Sequence, residues 1–286
     1  MQDRIVKLKN NVQVGVIEFG DLDSDNIVFY LHGFPGCRCE PLFAEKHAVE
    51  NRVKIIGVDR IGYGNTTYIK GMAIADYGEI FKELVDALGI DKFKIIGVSG
   101  GSPYLASVCA TLKDRVKQAV VVSGLSPIDK EEVFKGMSFA NKFFLKLGRK
   151  ALSFSLFWVG IIANIWRLYP DIMIVWLKIF MSKKDKQYLS LKYNNKYLKS
   201  NLNEAVKNGV GGIKNDYVNY CKPWGVDFSK IDVPVAVFHG TNDPYVPYEM
   251  GKYLSLLYKN SKLYDIKGEG HLAVISSIKQ VLDTLC

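Results

Sequence analysis

The stretch IIGVSGGSPYLA, residues 95–106, joins an apolar β-branched run to a segment of helical character. Between them stands Ser99, with Gly97 two positions before it and Gly100 and Gly101 directly after it. A strand that turns directly into a helix brings the two backbones close together, and only very small side chains fit beside such a turn. The pattern favours a serine exposed at a strand-to-helix turn, although an ordinary glycine-rich turn has the same local sequence.

Around this stretch, apolar β-branched runs alternate with segments of helical periodicity. Strands are predicted at residues 12–19, 27–31, 53–58, 93–98, 118–122, 235–238 and 262–266, and helices at 74–88, 103–112 and 248–258. This alternation predicts an α/β fold with a mostly parallel sheet covered by helices on both faces. The first two strands are joined by the short loop GDLDSDN, residues 20–26, which predicts a hairpin and hence an antiparallel start to the sheet.

The alternation stops between Ser123 and about Lys230, where the pattern is helical throughout. We therefore predict a helical cap, or lid, at residues 126–229, inserted into a core formed by residues 1–125 and 230–286. Residues 130–222 carry 17 Lys and Arg against 6 Asp and Glu, whereas the whole chain has a formal net charge of +9. The predicted cap is thus the basic part of the molecule.

One part of the predicted cap is unusually apolar. The 14 residues SFSLFWVGIIANIW, 153–166, contain no charge, but a membrane-spanning helix needs about 20 apolar residues. A stretch with an arginine, a proline and an aspartate, residues 167–171, interrupts the run before it resumes at residues 172–176. Two helices packed over an apolar pocket fit this pattern; the alternative is a lid whose tryptophans dip into a membrane surface.

The composition narrows the class of protein. With 48% hydrophobic and 23% charged residues, the chain is typical of a globular protein. Its start, MQDRIVKLKN, lacks the apolar segment of a signal peptide, and the five cysteines follow no zinc-type spacing, so a reduced, cytoplasmic protein is expected. No nucleic-acid-binding motif accompanies the excess of lysine, and no nucleic-acid partner is expected.

No metal or other cofactor is expected either. The loop at residues 20–26 has alternating aspartates, but an EF-hand starting at Asp21 would need glycine at its sixth position and glutamate at its twelfth. The chain has Asn26 and His32 at these positions. A solvated turn accounts for the aspartates.

If Ser99 is an exposed nucleophile, it needs a base, because a serine hydroxyl does not ionise unaided at neutral pH. Of the four histidines, His271 stands in the glycine-rich loop KGEGHL, residues 267–272, directly after a predicted strand, where ligands bind in open α/β sheets. Asp243 follows another predicted strand in a turn bracketed by prolines. Serine, aspartate and histidine then occur in a chain order known for catalytic triads. We predict the triad Ser99, Asp243 and His271, although the surroundings of Asp243 alone are also typical of a turn or capping aspartate.

A developing oxyanion needs N–H donors, and the chain offers two of them. LHGFPG, residues 31–36, ends a predicted strand with a glycine turn, so that the backbone N–H of Phe34 and that of Gly100 can converge on one point. Gly100 also begins a predicted helix, whose N-terminus favours negative charge. His32 and Gly33 are interpreted as the supporting loop. The motif DRIGYG, residues 59–64, is interpreted as structural.

The chain resembles the α/β-hydrolase superfamily over essentially its whole length. The resemblance rests on the motifs HGFPG at 32–36, DRIGYG at 59–64, GVSGG at 97–101, HGTNDPYVP at 239–247 and GEGH at 268–271. It implies a twisted, mostly parallel eight-stranded sheet with a helical cap inserted after the sixth strand. It also implies roles for five residues: nucleophile Ser99, acid Asp243, base His271, and oxyanion donors Phe34 and Gly100.

The resemblance also excludes some activities. Serine at the turn departs from haloalkane dehalogenases and epoxide hydrolases, which carry aspartate there. The sequence GVSGG departs from the Gly-Gly-Ser-Trp-Gly-Ser pattern of prolyl aminopeptidases. Esterases, carbon–carbon bond hydrolases and cofactor-free haloperoxidase-like members share the serine, so the motifs do not separate these activities.

Several functions therefore stay open on this fold. The leading hypothesis is a carboxylesterase-like serine hydrolase that cleaves an ester or similar acyl bond of a small, largely apolar substrate, since the cap is rich in Phe, Leu, Ile and Trp. The alternatives are a carbon–carbon bond hydrolase, and a receptor or signalling protein that binds a small molecule without turnover. A lipase-like enzyme at anionic membranes is a further alternative, motivated by the basic cap; a lysine-rich proteome explains the same charge, and that explanation is preferred.

Overall fold

A computed structural model describes residues 1–9 and 11–285, without the side chains of 192–194. The described chain contains one sheet of eight strands. The strand order is β1-β2-β4-β3-β5-β6-β7-β8. The strands are β1 (Gln2–Lys7), β2 (Gln13–Gly20), β3 (Ile27–Leu31), β4 (Lys54–Val58), β5 (Phe93–Val98), β6 (Val116–Val122), β7 (Val235–Gly240) and β8 (Ser261–Ile266). From β4 onward all neighbouring pairs are parallel, whereas β1–β2 and β2–β4 are antiparallel. The predicted α/β fold with a mostly parallel sheet is confirmed.

The pairing predicted for the first hairpin is wrong. β2 and β3 run in opposite directions, but β4 lies between them, so that Val58 pairs with Val16 on one side and with Leu31 on the other. The sheet does begin antiparallel, through β1, which the sequence pattern missed. Of the residues of this edge strand only Val6 is buried, and a strand with so little apolar surface gives no hydrophobic signal.

Helices cover both faces of the sheet. Alternate residues of β5 point to opposite faces, so that Phe93 belongs to one core cluster and Ile96 to the other. Helices α2 (Tyr77–Ala87), α3 (Ser102–Thr111) and α10 (Tyr248–Leu257) bury apolar side chains in the first cluster. Helices α1 (Glu45–Glu50) and α11 (Ala273–Leu285) do so in the second.

Between β6 and β7 the described chain is helical, without a strand. The helices are α4 (Phe139–Lys150), α5 (Leu152–Leu168), α6 (Pro170–Phe180), α7 (Lys183–Ser190), α8 (Lys192–Val206) and α9 (Gly211–Cys221). Helix α9 is tied to the core, since the amides of Asn215 and Asn219 both donate to the carbonyl oxygen of Met72, at 3.0 Å. The inserted helices agree with the predicted cap, while its boundaries at 126 and 229 stay a prediction.

The apolar part of this insertion is broken between α5 and α6. In the described chain, no helix by itself has the length and hydropathy expected of a bilayer-spanning segment; α5 and α6 have them only as a pair, bent by 116°. The break falls within residues 167–171, where the sequence pattern is interrupted. Cys37, Cys39, Cys109 and Cys221 are free thiols, and Cys286 lies outside the described residues.

Candidate active site

Ser99 lies at the turn between β5 and α3, with a φ of +50°. Residues other than glycine rarely adopt this left-handed conformation, and those that do cluster at functional sites. A Cβ atom on Gly101 would lie 2.4 Å from the carbonyl oxygen of Leu31, and one on Gly97 would lie 2.9 Å from Cβ of Leu105. The glycines are therefore required by the close approach of strand and helix, as expected for a strand-to-helix turn.

The structure brings the three residues of the predicted triad together. Oγ of Ser99 lies 2.9 Å from Nε2 of His271, and Nδ1 of His271 lies 2.7 Å from Oδ2 of Asp243. The three residues come from the loops after β5, β8 and β7, which end at the same edge of the sheet. The imidazole side chain is 18% exposed, whereas the carboxylate is fully buried. A continuous hydrogen-bonded path thus leads from a buried carboxylate to a serine hydroxyl.

The turn after β7 fixes the carboxylate of Asp243. Its Oδ1 accepts hydrogen bonds from the backbone N–H groups of Tyr245, at 2.8 Å, and Val246, at 3.0 Å. These two bonds leave Oδ2 facing Nδ1 of His271. Asp243 is therefore both the turn aspartate that its local sequence suggested and the partner of the histidine.

His32 and Gly33 hold the loop that carries Phe34. Nε2 of the buried His32 accepts the backbone N–H of Arg60 at 3.0 Å, so its Nδ1 carries the proton and donates to the carbonyl oxygen of Gly33 at 2.8 Å. Burial, together with the charge of Arg60, holds the pKa of His32 well below 6.5 and keeps the ring neutral. Nη2 of Arg60 donates to the same Gly33 oxygen at 2.8 Å. Because a trans peptide directs its N–H opposite to its C=O, the N–H of Phe34 points away from Arg60.

The second predicted donor is held in a similar way. The carbonyl oxygen of Ser99 accepts the backbone N–H of Leu125 at 3.1 Å, which orients the peptide that carries the N–H of Gly100. A Cβ atom on Gly100 would lie 2.7 Å from Cβ of Phe34. The backbones of Phe34 and Gly100 are therefore adjacent, and both residues line one cavity with Ser99 and His271.

This cavity has a volume of about 180 Å³ and lies between the sheet edge and the inserted helices. Its walls are apolar and aromatic, with contributions from α4, α5, α6 and α9. The helical lining residues include Phe144, Leu145, Val159, Ile162, Trp166, Met173, Trp176, Leu177, Ile213 and Tyr220. Within the described part of the chain, no Lys, Arg, Asp or Glu lines the cavity. The environment suits an uncharged, apolar ligand.

A buried ion pair beneath the cavity was not identified from the sequence. Nη1 of Arg60, after β4, lies 2.6 Å from Oδ2 of Asp216 on α9, and both side chains are almost fully buried. The hydroxyl of Tyr63 donates to the same carboxylate at 2.8 Å. The hydroxyl of Tyr220 lies 3.0 Å from it and 2.9 Å from the carbonyl oxygen of Gly100. The pair joins the inserted helices to both loops that carry the predicted oxyanion donors.

A second carboxylate missed by the sequence analysis contacts the loop of His271. Asp185, on α7, is completely buried. Its Oδ2 accepts the backbone N–H of His271 at 3.0 Å, and its Oδ1 accepts that of Leu272 at 2.8 Å. Asp185 also forms a capping box with Ser182, and this SxxD pattern was the one available signal in the sequence, although it indicates only a helix start. The inserted helices thus position the histidine loop directly.

The environment of His271 determines how it titrates. Burial alone would lower its pKa, but the charge and hydrogen bond of Asp243, and the charges of Asp185 and Glu40, outweigh burial and raise the pKa above 6.5. In the predicted triad only a neutral imidazole can accept a proton from Ser99. We expect kcat/KM to fall as pH falls through a midpoint above 6.5, in a pH profile measured with a neutral ester.

Substitution Asp185→Asn tests the position of this midpoint. The amide removes a negative charge near His271, so the midpoint should move to lower pH. The amide also has only one acceptor oxygen, so one of the two loop hydrogen bonds is lost and kcat should fall about tenfold. Asp171→Asn is the matched control, since Asp171 is an exposed aspartate of the same insertion, paired with Lys199. Equal midpoints together with equal kcat values in the parent protein and both variants would contradict a role for Asp185 beside the histidine.

Comparison with known proteins agrees with the fold. A sequence profile of the alpha/beta hydrolase fold family matches residues 26–277. Over 93% of its length the chain is 24% identical to a bifunctional esterase/perhydrolase from Acinetobacter calcoaceticus, of which it covers 92%. Over 54% of its length it is 28% identical to a putative 2-succinyl-6-hydroxy-2,4-cyclohexadiene-1-carboxylate synthase from Bacillus subtilis, of which it covers 58%.

Among solved structures, a bromoperoxidase from Bacillus anthracis has a TM-score of 0.73 to this chain at 18% identity, with 99% of each chain covered. At this identity the likeness concerns the fold. Residues that surround Ser99, Asp243 and His271 in this chain therefore have to be interpreted from their own contacts.

Proposed function

The chain belongs to the alpha/beta hydrolase fold family, and on that premise we propose that it is a serine hydrolase acting on an ester or similar acyl bond of a small, apolar substrate. The observation that carries the proposal is the hydrogen-bonded path from Asp243 through His271 to Ser99, which opens into an apolar cavity. The relative from A. calcoaceticus, a bifunctional esterase/perhydrolase, supports hydrolysis as the reaction class.

The proposed reaction begins with Ser99. As its Oγ attacks the substrate carbonyl carbon, Nε2 of His271 accepts the hydroxyl proton, and Asp243 stabilises the imidazolium through Nδ1. The carbonyl oxygen becomes an oxyanion, which the N–H groups of Phe34 and Gly100 stabilise. One such donor contributes on the order of 10²–10³ in kcat.

The tetrahedral species collapses when His271 returns the proton to the leaving alcohol, and Ser99 remains acylated. A water molecule then loses a proton to His271 as it attacks the acyl carbon. The acid is released and the proton returns to Oγ of Ser99. The buried Arg60–Asp216 pair takes no proton in this cycle; it holds the two donor loops.

The cavity supports a neutral acyl group as substrate. A cavity of about 150 Å³ accommodates a benzene-sized ligand, so a volume of about 180 Å³ suits an acyl group of about six carbons or fewer. The B. subtilis relative is described as a synthase of a carboxylate. A buried carboxylate needs a cationic partner, and the described lining residues include no Lys or Arg, so the ester reaction is favoured over a carbon–carbon bond reaction on an acid.

Labelling by a fluorophosphonate probe, combined with a panel of p-nitrophenyl esters of increasing acyl length, tests the proposal. We expect one phosphonyl group per folded chain, on the tryptic peptide of residues 95–113 and at Ser99 within it. Heat-unfolded protein should not be labelled, because activation depends on His271. The highest kcat/KM should belong to acyl groups of about six carbons or fewer.

Two results would contradict the proposed hydrolase function. An adduct on another residue, or no adduct together with no turnover of any ester, would overturn the proposal. An ester analogue that raises Tm of a protein without turnover would instead indicate a receptor on this fold.

A further inference from the structure

Helices α5 and α6 expose many apolar side chains on the sides that do not line the cavity. Among the residues described, 18 large hydrophobic side chains are exposed, and 12 of them lie on α4, α5 and α6 or at the junction of α5 and α6. On α5 they recur every three or four positions, as expected for one helix face. We name as the lid face Phe154, Phe157, Trp158, Ile161, Ile165, Leu168, Tyr169, Ile172, Val175 and Ile179.

The same helices have a second apolar side that lines the cavity. On α5 this side consists of Val159, Ile162 and Trp166, and on α6 it includes Trp176 and Leu177. Packing in the cavity therefore does not require the lid face to be apolar. Exposed apolar side chains grouped in this way on neighbouring helices are typical of an interaction surface.

The helices that carry the lid face and their flanks are rich in positive charge. Residues 139–190 contain nine Lys and Arg and only two Asp; of the cations, Lys142 and Lys146 pair with Glu131, and Lys184 pairs with Glu269. Of these aspartates, Asp185 is buried and Asp171 is paired with Lys199 at 2.7 Å. Exposed cations stand at the ends of the apolar helices: Arg149, Lys150, Arg167, Lys183 and Lys186. The surface is thus an apolar band with basic ends.

The apolar band with its basic ends could bind either a second copy of the chain or a lipid surface, and the positive charges distinguish between these two partners. In a symmetric dimer the same patch meets itself, so the basic ends of one copy would face those of the other, and like charges oppose such contact. An anionic lipid surface instead attracts each cation, by about fivefold in affinity per Lys or Arg near the surface. The tryptophan and tyrosine of the lid face suit the headgroup region of a bilayer.

We propose that the lid face binds the surface of membranes that contain anionic phospholipids, with α5 and α6 lying in the interface rather than crossing it. The membrane then contacts the outer side of the two helices whose inner side lines the cavity. Binding itself does not depend on the proposed chemistry and is measured without turnover.

Sedimentation with lipid vesicles tests the proposal. The protein should sediment with vesicles of phosphatidylcholine that contain about 30% phosphatidylserine, and at least tenfold less with phosphatidylcholine alone. Raising the salt from about 0.01 M to about 0.5 M should weaken binding to the anionic vesicles, because the Debye length shortens from about 30 Å to less than 8 Å.

Two double variants separate the apolar from the charged contribution. Trp158→Ser with Ile165→Ser should lower the vesicle partition coefficient at least tenfold. Lys150→Gln with Lys183→Gln should lower it about tenfold at low salt and leave it unchanged at high salt. The matched controls lie outside the insertion: Val49→Ser with Leu256→Ser, and Lys113→Gln with Lys259→Gln.

Controls that lose binding as strongly as the lid variants would overturn the proposal, as would equal binding to neutral and anionic vesicles. Analytical ultracentrifugation of the lipid-free protein tests whether the lid face instead binds a second copy of the chain. A dimer that Trp158→Ser with Ile165→Ser dissociates, without vesicle binding by the parent protein, would assign the lid face to a second copy of the chain. The labelling of Ser99 by fluorophosphonate is unaffected by either outcome.

Discussion

Replacing Ser99 with alanine is expected to lower kcat for a p-nitrophenyl ester about 10⁶-fold, the loss typical when the nucleophile of a triad is removed. The substitution removes the only atom that can attack the carbonyl in the proposed mechanism, while the turn and its glycines stay in place. Steady-state kinetics on purified protein measure the loss. Tm should change by no more than about 2 °C, because the hydroxyl contributes little to packing.

Asp243→Asn is expected to lower kcat less than Ser99→Ala does. The amide can keep the turn hydrogen bonds, but its NH₂ group cannot accept the proton of Nδ1 of His271, so kcat should fall about 10⁴-fold rather than 10⁶-fold. Ser255→Ala is the control, since its Oγ donates only to the carbonyl oxygen of Lys252 at the surface. A Ser99→Ala protein that keeps more than about 1% of the parent kcat would mean that another group is the nucleophile.

Asp216→Ala is expected to have the largest effect on stability. It leaves the guanidinium of Arg60 buried without its carboxylate, and loss of one partner of a buried ion pair lowers the free energy of unfolding by about 3–5 kcal/mol. For a chain of this size, Tm should fall by about 10 °C. Thermal unfolding followed by circular dichroism measures the change.

An exposed pair is the control for this prediction. Asp232 and Lys259 lie 3.1 Å apart with 65% and 75% of their side chains exposed, so Asp232→Ala should change the free energy of unfolding by less than about 0.5 kcal/mol. If Asp216→Ala does not fold, Asp216→Asn keeps acceptor and donor atoms beside Arg60 but loses the negative charge, and its Tm should lie below those of the parent protein and of the Asp232→Ala control. Equal Tm values for Asp216→Asn and the control would contradict a structural role for the pair.

Much of the core could be predicted from the sequence because its signals are local. The predicted strand at residues 93–98 is β5, and the glycines around Ser99 are required by contacts with Leu31 and Leu105 that a strand-to-helix turn entails. His271 and Asp243 were identified by their places after strands, and parallel strands bring such loops to one edge. Short hydrophobic patterns are sufficient to predict where a strand ends and which residues follow it.

Other features depend on contacts between distant parts of the chain, and no local pattern reports them. The order of β2, β4 and β3 follows from which strands pair, and the loop at residues 20–26 looks the same whether or not its flanking strands are neighbours. Arg60 meets Asp216 across 156 positions, and His271 meets Asp185 across 86. Before the fold is known, each is one charged residue among many.

The two buried aspartates of the insertion also limit how substrate preference can be changed by recombination. Asp185 holds the loop of His271, and Asp216 compensates Arg60 beneath the donor loops. Transplanting the helices of a relative in place of residues 126–229 would remove both carboxylates together with the pocket wall. A functional chimera therefore needs acidic residues at the positions of Asp185 and Asp216, and the insertion cannot be exchanged as an independent module. Substrate selectivity is better changed by substituting single residues that line the cavity.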